Sequence, residues 1–78
     1  GAPFSADAFR ARLATQPERE IGAVLLDQSV AAGVGNYLRA EVLFVCRISP
    51  WRRVADLAPD ELDALVAAVP AVAAHAYR

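Results

Sequence analysis

The sequence predicts an all-α fold of four or five short helices, on three observations. Alanine, the strongest helix former, supplies 18 of the 78 residues, and all eight basic residues are arginine, which ranks just behind it. Apolar residues recur three and four positions apart, and no convincing strand-like alternation appears. Residues that start and stop helices punctuate the chain at short intervals. At this length residues 1–78 form a single domain that buries only about 60% of the surface its unfolded chain exposes.

Gly1 to Phe4 reads as an entry strand or tail. Ser5 suits the N-cap of a first helix running through Leu13, because its hydroxyl can accept an orphan backbone N–H. Thr15-Gln16-Pro17-Glu18 fits a capping box, with Pro17 in a first turn where its missing N–H costs nothing. The spacing then predicts a helix from about Gln16 to Ala32, with Ile21, Val24 and Leu25 on one face, broadened by Leu26 and Val30. Within it Gly22 reads as a weak point, costing about 1 kcal/mol against alanine. Gly33 suits the left-handed position that ends a helix, and Asn36 the N-cap of the next. That next helix runs from about Tyr37 to Arg47, with Leu38, Val42 and Val45 facing inward. Ile48-Ser49-Pro50 stops it, since the residue before proline avoids helical geometry. Trp51 to Leu57 reads as an irregular link. A last helix starts near Pro59, its acids Asp60, Glu61 and Asp63 near the positive end and Leu62, Leu65, Val66 and Val69 as its buried stripe. Pro70 should kink or end it.

Composition narrows the function. The net charge of −1 argues against a domain that grips nucleic acid through its whole field, so any such binding must be local. Without lysine the chain can form no lysine Schiff base, and one cysteine excludes an internal disulfide or a cysteine-rich zinc site. Neither a signal peptide nor an apolar run of about 18 residues is visible, so no membrane partner is expected.

The junction Ala31-Ala32-Gly33-Val34-Gly35-Asn36-Tyr37 has the most chemical content. Two glycines let a backbone come close to a ligand, and consecutive N–H groups at a turn form an anion nest. The helix that follows adds orphan N–H groups and a partial positive charge. Such a junction can hold one or two phosphates without an excess of basic residues. The alternative, a Gly-terminated helix followed by an Asn-capped one, needs no ligand. The string lacks the length and the lysine of a Walker loop.

These residues carry a resemblance. Leu25-Leu26-Asp27-Gln28, then Ala32-Gly33-Val34-Gly35-Asn36-Tyr37-Leu38-Arg39-Ala40-Glu41-Val42-Leu43-Phe44, then Ile48-Ser49-Pro50 resembles the helix–two-turns–helix (H2TH) domain of the formamidopyrimidine-DNA glycosylase and endonuclease VIII family. The blocks stand in the family's order and at its intervals, and Asp56 to Leu62 is similar to a further segment of it. The match covers roughly residues 20–66 and favours the endonuclease VIII-like branch. It implies an S13-like H2TH bundle from a base-excision-repair enzyme that removes oxidised bases and cleaves the abasic strand. The partner it implies is double-stranded DNA carrying oxidised bases or abasic sites, met by a monomer in a bacterial cytoplasm.

In that family an N-terminal proline amine attacks the sugar and a C-terminal finger holds zinc. This chain starts Gly1-Ala2, and Pro3 carries an amide nitrogen. Cys46 and His75 cannot make a four-ligand site. The resemblance therefore implies a middle domain without catalytic residues, with no cofactor of its own and zinc only in the parent's finger. The phosphate contacts it implies fall on the Asn36 side chain and the backbone amides of Gly33, Val34 and Gly35. In the formamidopyrimidine branch a lysine commonly stands where this chain has Gly22. Ala58 departs too, standing where serine usually caps the last helix, at about 1 kcal/mol.

Other candidates support the junction. Gln28 can bond turn backbone, Arg39 can reach a phosphate or simply be exposed, and Glu41 can brace the turn or pair with an arginine. Trp51-Arg52-Arg53 reads as a core tryptophan with exposed arginines, or else as a basic-aromatic patch. Cys46 reads as a small buried apolar residue, and His75 as a lone titratable group. The rival readings are an S13-like nucleic-acid-binding module without catalysis and a purely structural helical interaction domain.

Overall fold

The structure is a computed structural model and describes residues 5–27, 30 and 35–76. Among these residues four α-helices follow one another: α1 Ala6–Ala14, α2 Ile21–Leu26, α3 Asn36–Cys46 and α4 Pro59–Ala76, with a 3-10 turn over Val54–Asp56. Among the described residues there is no strand, as an all-α fold requires. The long α3 and α4 pack on each other; α2 lies against α3 and α1 against α4.

Ser5 caps α1 as expected, its Oγ accepting from the Ala8 N–H at 3.2 Å. The second helix departs from expectation. It starts at Ile21, not Gln16, and ends at Leu26. Thr15 starts nothing: its hydroxyl donates to the Arg12 carbonyl at 2.7 Å and closes α1. The reason is tertiary. The backbone from Pro17 to Gly22 bonds across to the link after α3, in place of helical bonding over Gln16 to Glu20. Ala55 donates to the Pro17 carbonyl, Val54 to that of Arg19, Ile21 to that of Arg52, and Gly22 to that of Pro50, all at 2.7–2.9 Å. Glu20 and Arg53 form an isolated antiparallel bridge within this pairing. Backbone groups find partners either way, and here those partners hold α2 in place.

Helix α3 stops where expected, by an unexpected route. Arg47 takes the left-handed conformation (φ 56°, ψ 42°), and the Ile48 N–H reaches back to the Leu43 carbonyl at 3.0 Å. This is a glycine-type helix ending made without glycine. Helix α4 starts at Pro59, and the Glu61 carboxylate accepts from the Ala58 N–H at 2.9 Å. That is half of a capping box, since Ala58 has no side-chain oxygen to return the bond. Pro70 neither ends nor interrupts the element, which continues to Ala76.

The core draws Phe9 and Leu13 from α1, and Ile21, Val24 and Leu25 from α2. It takes Leu38, Val42 and Leu43 from α3, and Leu65, Val66 and Val69 from α4; Val30 and Ile48 complete it. Two residues expected on inward helix faces lie outside it. Leu26 stands at the last position of the shortened α2 and is 47% exposed, and Val45 is 58% exposed. The inward stripe of α3 is Leu38, Val42 and Leu43, with Cys46 half-buried behind it, so Val45 rotates to the far side. Leu62 is only partly buried against the core.

Candidate nucleic-acid interface

Of the implied contacts, Gln28, Gly33 and Val34 lie outside the described residues, as do Ala31 and Ala32. Gly35, Asn36, Arg39 and Glu41 are described, and all four stand on the first turns of α3 or just before it.

The start of α3 corrects one expectation. Asn36 is not the N-cap; it is the first helical residue, and Gly35 occupies the cap position. Gly35 has no side chain to offer, so no side-chain cap bond forms. Among the described residues, the first helical hydrogen bond runs from the Arg39 N–H to the Gly35 carbonyl at 2.9 Å. The N–H groups of Asn36, Tyr37 and Leu38 therefore precede the helical ladder, with no acceptor among the described residues. They carry the positive end of an eleven-residue helix.

Gly35 itself puts no side chain over this end. Its backbone is extended (φ −86°, ψ 176°), a conformation any residue adopts. A Cβ built there would meet nothing within 4 Å. Neither conformation nor packing within the described fold calls for glycine at this position. Its effect is to place no side chain of its own on the approach to the N–H groups.

Two side chains border the approach. Asn36 is exposed, and its Oδ1 accepts from Arg39 Nη2 at 3.2 Å. Arg39 is half-buried, with no carboxylate partner among the described residues. Glu41 is half-buried on the next turn and makes no hydrogen bond or ion pair with a described residue.

Four other arginines are already engaged, while the exposed Arg12 and Arg47 have no carboxylate partner among the described residues. Arg10 pairs with Asp63, Arg19 with Asp27, Arg52 with Glu61, and Arg53 with both Glu18 and Asp56. The Glu61 carboxyl is held below the usual carboxylate range, first by the Arg52 guanidinium and then by the Ala58 N–H. Arg52 is raised in turn, chiefly by its hydrogen bond to Glu61. This settles the segment Trp51-Arg52-Arg53. Its arginines are tied to carboxylates, and Trp51 is 74% exposed, so it is not a core tryptophan. The indole follows immediately on Pro50, whose carbonyl accepts from the Gly22 N–H of α2.

Gly22 also needs correction. A Cβ there would stand 2.6 Å from the Pro50 Cβ, 3.0 Å from the Pro50 carbonyl oxygen and 3.2 Å from Arg39 Nη1. Glycine at this position is a packing requirement, and a lysine would have no room in this arrangement.

No three His, Cys, Asp or Glu side chains converge among the described residues, so none fits the zinc implied for the parent. Cys46 is half-buried, which pushes its thiol up, and His75 is exposed in the last turn of α4. No described helix is long and apolar enough to cross a membrane.

The family model for the formamidopyrimidine-DNA glycosylase H2TH domain matches residues 2–78. An Endonuclease 8 of Klebsiella pneumoniae is 38% identical over 77 residues, covering 96% of this chain and 29% of the relative. An Endonuclease 8 1 of Mycobacterium tuberculosis is 50% identical over 50 residues, 64% of this chain and 19% of its own length. A Formamidopyrimidine-DNA glycosylase of Carboxydothermus hydrogenoformans is 42% identical over 52 residues, 67% of this chain and 20% of its own. The chain thus spans less than a third of the length of these relatives.

Proposed function

Since the chain belongs to the H2TH domain family of formamidopyrimidine-DNA glycosylases, we propose that it grips the backbone of double-stranded DNA through the start of α3. The parent, in this reading, is an endonuclease VIII-like glycosylase and abasic-site lyase acting on oxidised bases. The observation that carries the contact is Gly35: extended, uncrowded, and set before three N–H groups that the described fold leaves without acceptors. A phosphate supplies the acceptors those groups lack, and the Asn36 amide adds one more donor. Contacts of this kind position the protein and read no sequence. Recognition of the base and the chemistry at the sugar belong, in this reading, to other parts of the parent.

Engagement of Arg10, Arg19, Arg52 and Arg53 by carboxylates supports a small footprint. The chain should bind duplex DNA with a dissociation constant no better than about 10⁻⁴ M and a shallow salt dependence. The variant Gly35→Val tests the contact. Its extended backbone and open surroundings accept a side chain, and the smaller entropy of the unfolded chain offsets the poorer N-cap, so the fold should persist and melt close to the parent sequence. Binding to a duplex with an abasic-site analogue should fall about tenfold. Unchanged binding by the folded variant, or a salt slope implying six or more neutralised phosphates, rejects this contact.

A further inference from the structure

We propose that Arg39 is a positioning residue, which turns the side-chain amide of Asn36 so that its N–H donors face away from the protein. The proposal rests on reading the start of α3 as the phosphate contact. Arg39 Nη2 lies 3.2 Å from Asn36 Oδ1, one turn along the same helix. A guanidinium has five donors and no acceptor. Of the two ends of an amide, only the oxygen can face it favourably. The bond therefore sets the flip of the Asn36 side chain, and the NH₂ group is left on the outward side. An exposed asparagine without such a neighbour presents oxygen and nitrogen alternately, and the oxygen repels a phosphate.

The guanidinium is itself held in place. Nη1 sits 3.2 Å from the point where a Cβ on Gly22 would lie, so the missing side chain of α2 makes its slot. Nε is fully enclosed without a hydrogen-bond partner among the described residues, a cost that a freely moving surface arginine would avoid. No described carboxylate draws the group elsewhere, in contrast to Arg10, Arg19, Arg52 and Arg53. Gly22, Arg39 and Asn36 thus form a short chain of dependence that runs from the packing of α2 to the outer surface of α3.

The test is a double-mutant cycle on the 78-residue chain, titrated by NMR with a duplex carrying an abasic-site analogue. The variants are Asn36→Ala, Arg39→Met and the two combined; methionine keeps the apolar stem and removes every donor. Asn36→Ala should weaken binding about tenfold. Arg39→Met should weaken it about fivefold, the factor for one ordinary hydrogen bond of about 1 kcal/mol. In the Asn36→Ala background the Arg39 change should do nothing more, and the salt slope should stay at the parent value. In the free protein the Asn36 side-chain couplings should go from one rotamer to an average when Arg39 becomes methionine. An undiminished Arg39 effect in the Asn36→Ala background, with the slope falling by about one, makes Arg39 a direct phosphate contact and overturns the positioning role alone. Unaltered Asn36 couplings in Arg39→Met overturn it as well, and that measurement needs no DNA. If Asn36→Ala binds like the parent, the positioning role is overturned while the backbone contact stands; if Gly35→Val also binds like the parent, or the parent does not bind, the reading of the helix start fails as well.

Discussion

The Gly22 N–H donates to the Pro50 carbonyl at 2.9 Å, and the Gly22 Cα faces the Pro50 ring so closely that a Cβ would stand 2.6 Å from the proline Cβ. Two segments 28 positions apart in sequence (50 − 22) are thus joined by a contact that only glycine allows. It sets where α2 begins, and through Arg39 it reaches the outer end of α3.

The first prediction follows directly. Gly22→Ala improves helix propensity by about 1 kcal/mol, yet the added methyl must displace Pro50 backbone. Overpacking of this kind costs about 1–3 kcal/mol. The variant should melt lower than the parent by several degrees. A melting temperature at or above the parent's would show that the two segments separate at no cost.

Ala58→Ser should act in the opposite direction. The Glu61 side chain already returns a bond to the residue before α4, and a serine oxygen would complete the reciprocal pair. The gain should be about 1 kcal/mol, or roughly 4–8 °C in melting temperature for a domain of this size. No rise would mean that water satisfies the first turn of α4 as well as a hydroxyl does.

Glu61 also makes stability depend on pH. Its folded pKa lies below the ordinary value because Arg52 and the Ala58 N–H favour the charged form. A depressed carboxyl adds stability above its unfolded pKa, about 4.3, and loses it as pH falls through the folded value. The parent should therefore outlast Glu61→Gln at pH 7, and the gap should close below about pH 4. Melting curves for both at pH 7 and pH 3 check this; a gap of equal size at both values contradicts it.

Asn36→Asp separates structure from binding. Asn36 is the first helical residue, so an acid there lies at the positive end of α3 and beside Arg39. Stability should hold or rise slightly. Binding to an abasic-site duplex should drop about tenfold or more, since the carboxylate repels phosphate and cannot donate. One charge-assisted bond is worth about 1.5–3 kcal/mol. A titration beside a melting curve on the same variant decides it, and intact binding with an intact fold would remove Asn36 from the contact.

Elements set by local chemistry were legible in the sequence. Ser5 caps α1, Pro59 opens α4, and α3 lies within one residue of its expected bounds. Elements set by distant partners were not. Gln16 to Glu20 carries a capping pattern and helical spacing, but its neighbours' backbone bonds to Pro50–Ala55 make it a turn. Gly22 read as a weak helical position because the sequence does not show which proline it will meet. Trp51 read as core because tryptophan is highly buried on average, but it lies in the link after α3 and is exposed. At the candidate site the helix start and its glycine were legible, but the cap was assigned to Asn36 instead of Gly35. The bond between Arg39 and Asn36 follows an ordinary i, i+3 spacing and could have been anticipated. The slot that holds the guanidinium depends on α2 and could not.

The exposure of Trp51 has an optical consequence. It is the sole tryptophan of the chain, and its indole already lies largely in water. Its emission should be red-shifted in the native protein and change little in wavelength when the helices melt. A fluorimeter following unfolding would register an almost silent transition, while circular dichroism on the same sample recorded the full loss of helix. The same indole borders the cleft shared by Gly22 and Arg39. A quencher brought near that face would dim the one chromophore that global unfolding leaves nearly untouched.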